Sequence, residues 1–333
     1  MRNVDAETAN ALPRRRSTAR PRKGRHRSPD RLSVPSAAPA LVLAVPAAES
    51  AATEQIATGI AAVAGALCPA ATIRVGYAGD GAANLSALLS AIVSARAAPP
   101  ADEPDACPYA AVVVPLTIVP DPGADARIAE AAGQAGPAVT ITAALGPHPL
   151  LAGALHDRLA EVGLVQARRL SGLSLVSAAV GLLIGAVGGE PALRAAETVA
   201  VLLAGRLGVP VAAVSLSSRD SLDGGVARLQ QAGISHLALA PYVLGPEISP
   251  QQLATVAAAV GADCAPPLGA HPALGQLATM RYGAALLGQP APDPASAAPP
   301  PTSAPGTPAQ AAYLSTPPVT DSRSLPWRTS TSR

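Results

Sequence analysis

Two kinds of apolar pattern alternate along the middle of the chain. Short unbroken apolar runs are each followed by a longer Ala- and Leu-rich stretch with polar positions at helical spacing. The runs predict strands at Leu41–Val45, Thr72–Tyr77, Tyr109–Leu116 and Ala138–Ala143. They recur at Gly181–Val187, Val209–Ser215, His236–Tyr242 and around Asp263–Pro266. The stretches between predict helices at Glu49–Leu67, Leu85–Ala97, Ala124–Ala135, Leu150–Val162, Pro191–Leu207, Asp223–Ala232 and Pro250–Val260. Strand-length runs without alternation are buried on both faces, and their alternation with helices predicts βαβ crossovers and parallel sheets.

The chain also repeats itself. Leu145-Gly146-Pro147-His148-Pro149 returns as Leu268-Gly269-Ala270-His271-Pro272, and each copy opens an apolar helix. Proline suits a first helical turn, where its missing N–H has no partner to lose, and it holds the preceding residue extended. Each histidine is therefore expected at a strand-to-helix junction. The recurrence predicts an α/β fold of two similar βα units, each a parallel four-stranded sheet flanked by helices. The expected organisation is an N-terminal half at 37–165, a C-terminal half at 166–288 and tails at 1–36 and 289–333.

Composition separates tails from core. Ten of the 24 basic residues and three of the 22 acidic ones fall in residues 1–36, which leaves the rest of the chain at −5 of a net +2. Residues 1–36 read as a disordered basic tail, and the Pro/Ala/Ser/Thr-rich stretch 289–333 as a second disordered tail. The folded part lacks the basic face and stacking aromatics that nucleic-acid binding needs. With no Phe in the chain, its core is expected to be built from Ala, Val, Leu and Ile. Cys68, Cys107 and Cys264 form no CxxC pair, which favours a reducing, cytoplasmic setting with thiols in or beside the core.

Three motif-like stretches point elsewhere, and each is outweighed. The basic tail followed by Leu41–Val45 imitates a signal peptide, but the run is short and Pro35, Pro39 and Pro46 punctuate it. Ser171–Gly189 is charge-free and long enough to prompt a membrane span, but the repeat turns Val180–Val187 into a buried strand. Gly185, Gly188 and Gly189 follow a strand without the spacing of a dinucleotide loop.

Ligands of parallel α/β sheets bind at the carboxyl ends of the strands. Around those ends, Ile73–Tyr77, Ala111–Leu116, Leu145–Leu151, Arg206–Val211 and Pro267–Leu274 resemble, in order and spacing, the sirohydrochlorin chelatase family of cobalamin and sirohaem synthesis. The resemblance covers about residues 40–288. It implies insertion of Co2+ or Fe2+, as substrate, into a sirohydrochlorin-type tetrapyrrole held between two α/β halves, with no permanently bound cofactor. It further implies a His-Gly-Ser motif after the first strand, a Glu after the second and another His past the third.

At those positions this chain has Pro46, Gly79 and Gly123. Proline and glycine offer no side-chain ligand, so two readings stay open: a metal-inserting enzyme, or an impaired relative that binds a tetrapyrrole or a protein partner. A small-molecule binder unrelated in function but sharing the fold is a third. The loop carboxylates Glu49, Asp80, Asp121 and Asp125 are weak metal candidates, of a kind suited to harder cations. His148 and His271 either bond the backbone of their own turns or face substrate. Arg127 and Arg219 are candidate forks for tetrapyrrole carboxylates. His156, in a helix beside Asp157 and Arg158, is expected to be exposed, and His236 to begin a strand.

Overall fold

The computed structural model describes residues 38–79, 84–96, 107–165 and 180–288. Asp80 and the two tails expected at 1–36 and 289–333 lie outside the described residues. Among the described residues, sixteen elements follow one another in strict strand–helix alternation. The first eight are β1 (Ala40–Val45), α1 (Ala51–Leu67), β2 (Ile73–Tyr77), α2 (Leu85–Ala95), β3 (Ala111–Pro115), α3 (Pro122–Ala135), β4 (Val139–Ile141) and α4 (Pro149–Glu161). The second eight are β5 (Val180–Ala186), α5 (Glu190–Leu207), β6 (Val211–Ser215), α6 (Arg219–Gln231), β7 (His236–Pro241), α7 (Pro250–Val260), β8 (Ala262–Cys264) and α8 (Pro272–Leu286).

The strands form two four-stranded sheets ordered β2-β1-β3-β4 and β6-β5-β7-β8. Every pairing is parallel, with Leu43 beside Val75 and Val114, and Ile184 beside Ala213 and Ala240. The fold is the two-sheet parallel α/β architecture that the alternation predicts. Val180–Ala186, the end of the charge-free stretch, is strand β5, and among the described residues no helix is long and apolar enough to cross a membrane.

Residues along each central strand alternate between two apolar layers, as the period of a strand requires. Val42, Ala44, Ala111 and Val113 pack outward with Leu85, Leu89 and Ile128 of α2 and α3. Leu183, Val214 and Leu239 pack outward with Leu222, Leu229 and Leu253 of α6 and α7. Leu41, Leu43, Val112 and Val114 face inward and share one core with Leu182, Ile184, Ala238 and Ala240 of the other sheet. Helices α1, α4, α5 and α8 fill that middle layer.

The middle layer is crossed. Helix α4 closes the first half in sequence but packs on α5 and β7 of the second sheet. Helix α8 closes the second half but packs on α1 and β3 of the first. The exchange explains why α8 buries residues all round, from Ala273 and Leu274 to Thr279 and Tyr282, since a helix between two layers has no solvent face to spare. It also corrects the expected core composition. Tyr242 and Tyr282 are the largest fully buried side chains, and each anchors its hydroxyl on a backbone carbonyl: Ile118 for Tyr242 at 2.9 Å and Pro39 for Tyr282 at 2.6 Å.

Boundaries move where a cap intervenes. Helix α1 begins at Ala51, not Glu49, because Ser50 caps it: the Ser50 hydroxyl accepts the Thr53 N–H and the Thr53 hydroxyl accepts the Ser50 N–H. Helix α3 begins at Pro122 because Asp121 caps it. Helix α6 begins four residues before the expected Asp223, because Ser218 accepts the Ser221 N–H. Each of these three starts follows the same rule, a short polar side chain satisfying orphan amides.

Candidate functional site

In each sheet the strand order reverses beside the first strand, between β1 and β3 and between β5 and β7. The carboxyl ends there form the crevice in which open parallel sheets bind ligands. In the first half this crevice is bounded by Pro46–Ser50 and Thr117–Asp121, in the second by Val187–Gly189 and Val243–Ser249.

The first crevice is held by backbone contacts where the family resemblance expects metal-binding side chains. Arg127, one turn into α3, donates from Nη2 to the Pro46 carbonyl at 2.8 Å and so ties α3 to the loop after β1. Asp121 accepts the Gly123 and Ala124 N–H groups, both at 3.0 Å, which places Gly123 inside the cap of α3. Gly79 lies against the loop after β1: a Cβ there would crowd Ala48 N, lie 2.7 Å from Ala48 Cα and lie 2.8 Å from the Ala47 carbonyl carbon. A glutamate at that position has no room without moving the loop.

Four carboxylates were candidates by their loops. Glu49 is exposed just before the Ser50 cap, Asp121 is engaged as a cap, and Asp125 is exposed on the first turn of α3. Desolvation and, second, the neighbouring Asp121 charge hold the Asp125 carboxyl above the usual carboxylate range. Asp80 lies outside the described residues. Among the described residues no three His, Cys, Asp or Glu side chains come together as a set that could hold a metal ion. Thr117, at the end of β3, is buried, and its hydroxyl has no hydrogen-bond partner.

The loop that bounds the second crevice carries one carboxylate, Glu247, which is exposed. Glu247 accepts the Leu244 N–H at 3.0 Å and the Gly245 N–H at 2.7 Å, closing the loop after β7 on itself. Arg219 was a candidate for substrate carboxylates. It is exposed on the first turn of α6 and pairs with Asp223 at 3.0 Å along the same helix.

His148 and His271 occupy the same place in the two halves. Each is the N-cap of a closing helix, and each accepts an own-turn N–H at Nδ1: Leu150 at 3.1 Å and Ala273 at 3.2 Å. Both are partly buried, the His271 side chain being 12% exposed, and desolvation holds both imidazoles below the usual histidine range. Ten residues after each stands an arginine. Arg158 reaches the Leu268 carbonyl from Nε at 3.2 Å and from Nη2 at 2.6 Å, while Arg281 reaches the Ala144 carbonyl from Nε at 3.2 Å. Because α4 and α8 are exchanged, each arginine grips the turn that precedes the other half's histidine. His156 was expected to be exposed. Its side chain is only 13% exposed, with Nδ1 3.4 Å from Asp157 Oδ1, because α4 lies in the middle layer. His236 opens β7 and is exposed.

Arg158, Arg281, Tyr242 and Thr117 are the residues of this region that the strand-end reading missed. The signal for the arginines was in the repeat: aligning the two junctions places them opposite each other. A depression of about 490 Å3 between α3 and edge strand β4 is lined by small and apolar residues with Thr140 as its one polar side chain. It lies away from both crevices and offers no charged or nucleophilic group.

No family model matches the chain, and no curated protein matches it. Among solved structures it is similar to the sirohydrochlorin chelatase SirB from Bacillus subtilis subspecies spizizenii in complex with cobalt, at 14% identity and a TM-score of 0.51, over 75% of this chain and 96% of that one. It is similar also to SirB from Bacillus subtilis with Fe3+, at 15% identity and a TM-score of 0.55, over 75% of this chain and 98% of that one. At such identities the likeness is one of fold, a chelatase-like fold.

Proposed function

We propose that this protein binds a sirohydrochlorin-type tetrapyrrole between its halves, residues 37–165 and 166–288, as a relative of the sirohydrochlorin chelatases impaired in metal insertion. The likeness of fold to SirB supports the ligand class. The impairment rests on one observation: where a chelatase would present imidazole to Co2+ or Fe2+, this chain has Pro46, its carbonyl held by Arg127, and Gly123, inside a helix cap. Presenting such an ion to a macrocycle calls for a borderline donor such as neutral imidazole, and two pyrrole protons must be accepted as it enters.

What remains suits binding better than metallation. Arg127 spends one N–H on Pro46 and keeps the rest of its fork for a tetrapyrrole carboxylate. The raised Asp125 carboxyl is a somewhat stronger base than a free one, so proton acceptance outlives the loss of ligands in this reading. The experiment is a visible-spectrum titration of sirohydrochlorin with the purified chain, then addition of Co2+ or Fe2+. The expected result is a perturbed ligand spectrum with metallation no faster than in buffer. Accelerated metallation favours the active chelatase instead, and an unaltered spectrum at high protein removes the tetrapyrrole reading.

A further inference from the structure

Each closing helix starts on a histidine that has to be uncharged. His148 and His271 use the Nδ1 lone pair to accept the Leu150 and Ala273 N–H groups, which puts the ring proton on Nε2. A second proton would turn each cap into a donor facing a donor. It would also set a cation at the positive end of a helix.

Helix exchange adds a third opposing element, supplied by the other half. Arg281 of α8 bears on His148, and Arg158 of α4 bears on His271. The two ends differ in what else they face. His271 Nε2 lies 3.6 Å from Asp157 Oδ2, and Glu161 of the same helix adds a second carboxylate. Among the described residues, the charged group that bears on His148 is Arg281.

We propose that the two helix starts form an acid-sensitive coupling between the halves, in which protonating His148 undoes the start of α4 and sets a cation against Arg281, whereas protonated His271 trades its cap for an ion pair with Asp157. Acid then loosens the first junction more than the second, where the Asp157 carboxylate offsets part of the cost. The coupling uses no ligand and stands apart from the tetrapyrrole reading. The direction of titration agrees: burial first, and the facing guanidinium second, hold both imidazoles below the ordinary 6.5. A depressed histidine contributes stability that is present above its unfolded value and lost as pH falls through and below about 6.5.

The test is thermal unfolding of the full chain between pH 7.5 and 5 for the parent and three variants. His148→Asn and His271→Asn keep an N-cap oxygen without the titration. The parent is expected to lose about 2–4 °C more than His148→Asn on acidification, a change of the size a lost cap gives a domain of this length. His271→Asn should flatten the profile less than His148→Asn does, because Asp157 and Glu161 offset part of the depression at His271, and Asp157→Asn should be more acid-sensitive than the parent. A His148→Asn profile as steep as the parent's overturns the proposal, as does a His271→Asn profile equally flattened. If a variant does not fold, the parent's imidazole NMR decides: Nε2–H tautomers for both neutral rings are expected, and an Nδ1–H tautomer at either overturns it.

Discussion

The Tyr242 hydroxyl donates to the Ile118 carbonyl at 2.9 Å, across the two halves. The equivalent carbonyl in the second half, Leu244, is served by the backbone N–H of Gly269 at 2.8 Å. Among the described residues no backbone N–H reaches Ile118, although Gly146 stands where Gly269 does in the second half. Where the repeat breaks, a side chain from the other half replaces the missing backbone donor. Buried carbonyls of this kind are rarely left alone.

Tyr242→Phe keeps the ring in the core and removes only the donor. The Ile118 carbonyl is then buried without a partner, at a cost of about 1–3 kcal/mol. Urea unfolding should show a lower midpoint with an unchanged slope. A midpoint equal to the parent's would mean that water serves the carbonyl equally well.

Glycine is required where backbones touch, and two positions separate that need from mere helix propensity. A Cβ at Gly146 would crowd the Ile118 carbonyl and lie 2.6 Å from the Tyr242 hydroxyl, while one at Gly133 in α3 would meet nothing within 4 Å. Gly146→Ala should destabilise by about 1–3 kcal/mol through overpacking. Gly133→Ala should stabilise by roughly 0.5–1 kcal/mol. Equal midpoints for the two variants would contradict the close approach at Gly146.

The buried, unpartnered hydroxyl of Thr117 corresponds to Val243 in the second half. Thr117→Val removes an unsatisfied polar group at nearly constant shape and should raise stability by about 1 kcal/mol or more. A stability loss on substitution would show that the hydroxyl has a partner in solution.

Arg281 both bonds the Ala144 carbonyl and bears on His148. Arg281→Met keeps much of the aliphatic packing and removes the guanidinium. The His148 imidazole should then titrate at higher pH than in the parent, followed by its ring proton signals, while His271, which faces Arg158, should not move. Parallel shifts of both rings would count against the reciprocal arrangement.

The chain's own pattern determined the local structure. Apolar runs such as Leu41–Val45 and Ala111–Val114 announce strands buried on both faces, and their alternation with Ala/Leu stretches fixes a parallel α/β fold. The repeated Leu-Gly-x-His-Pro announces two equivalent junctions, and the missing imidazoles at Pro46 and Gly123 are legible by position alone. Only the tertiary structure decided which sheet each closing helix covers. An apolar helix face records that a surface is buried but carries no address for the surface that buries it. Thus α4 and α8 read as the last helices of their own halves, yet each packs on the other sheet. The partners of Arg158, Arg281 and Tyr242 follow from that exchange, since each of those bonds spans more than a hundred residues, beyond the reach of any local periodicity.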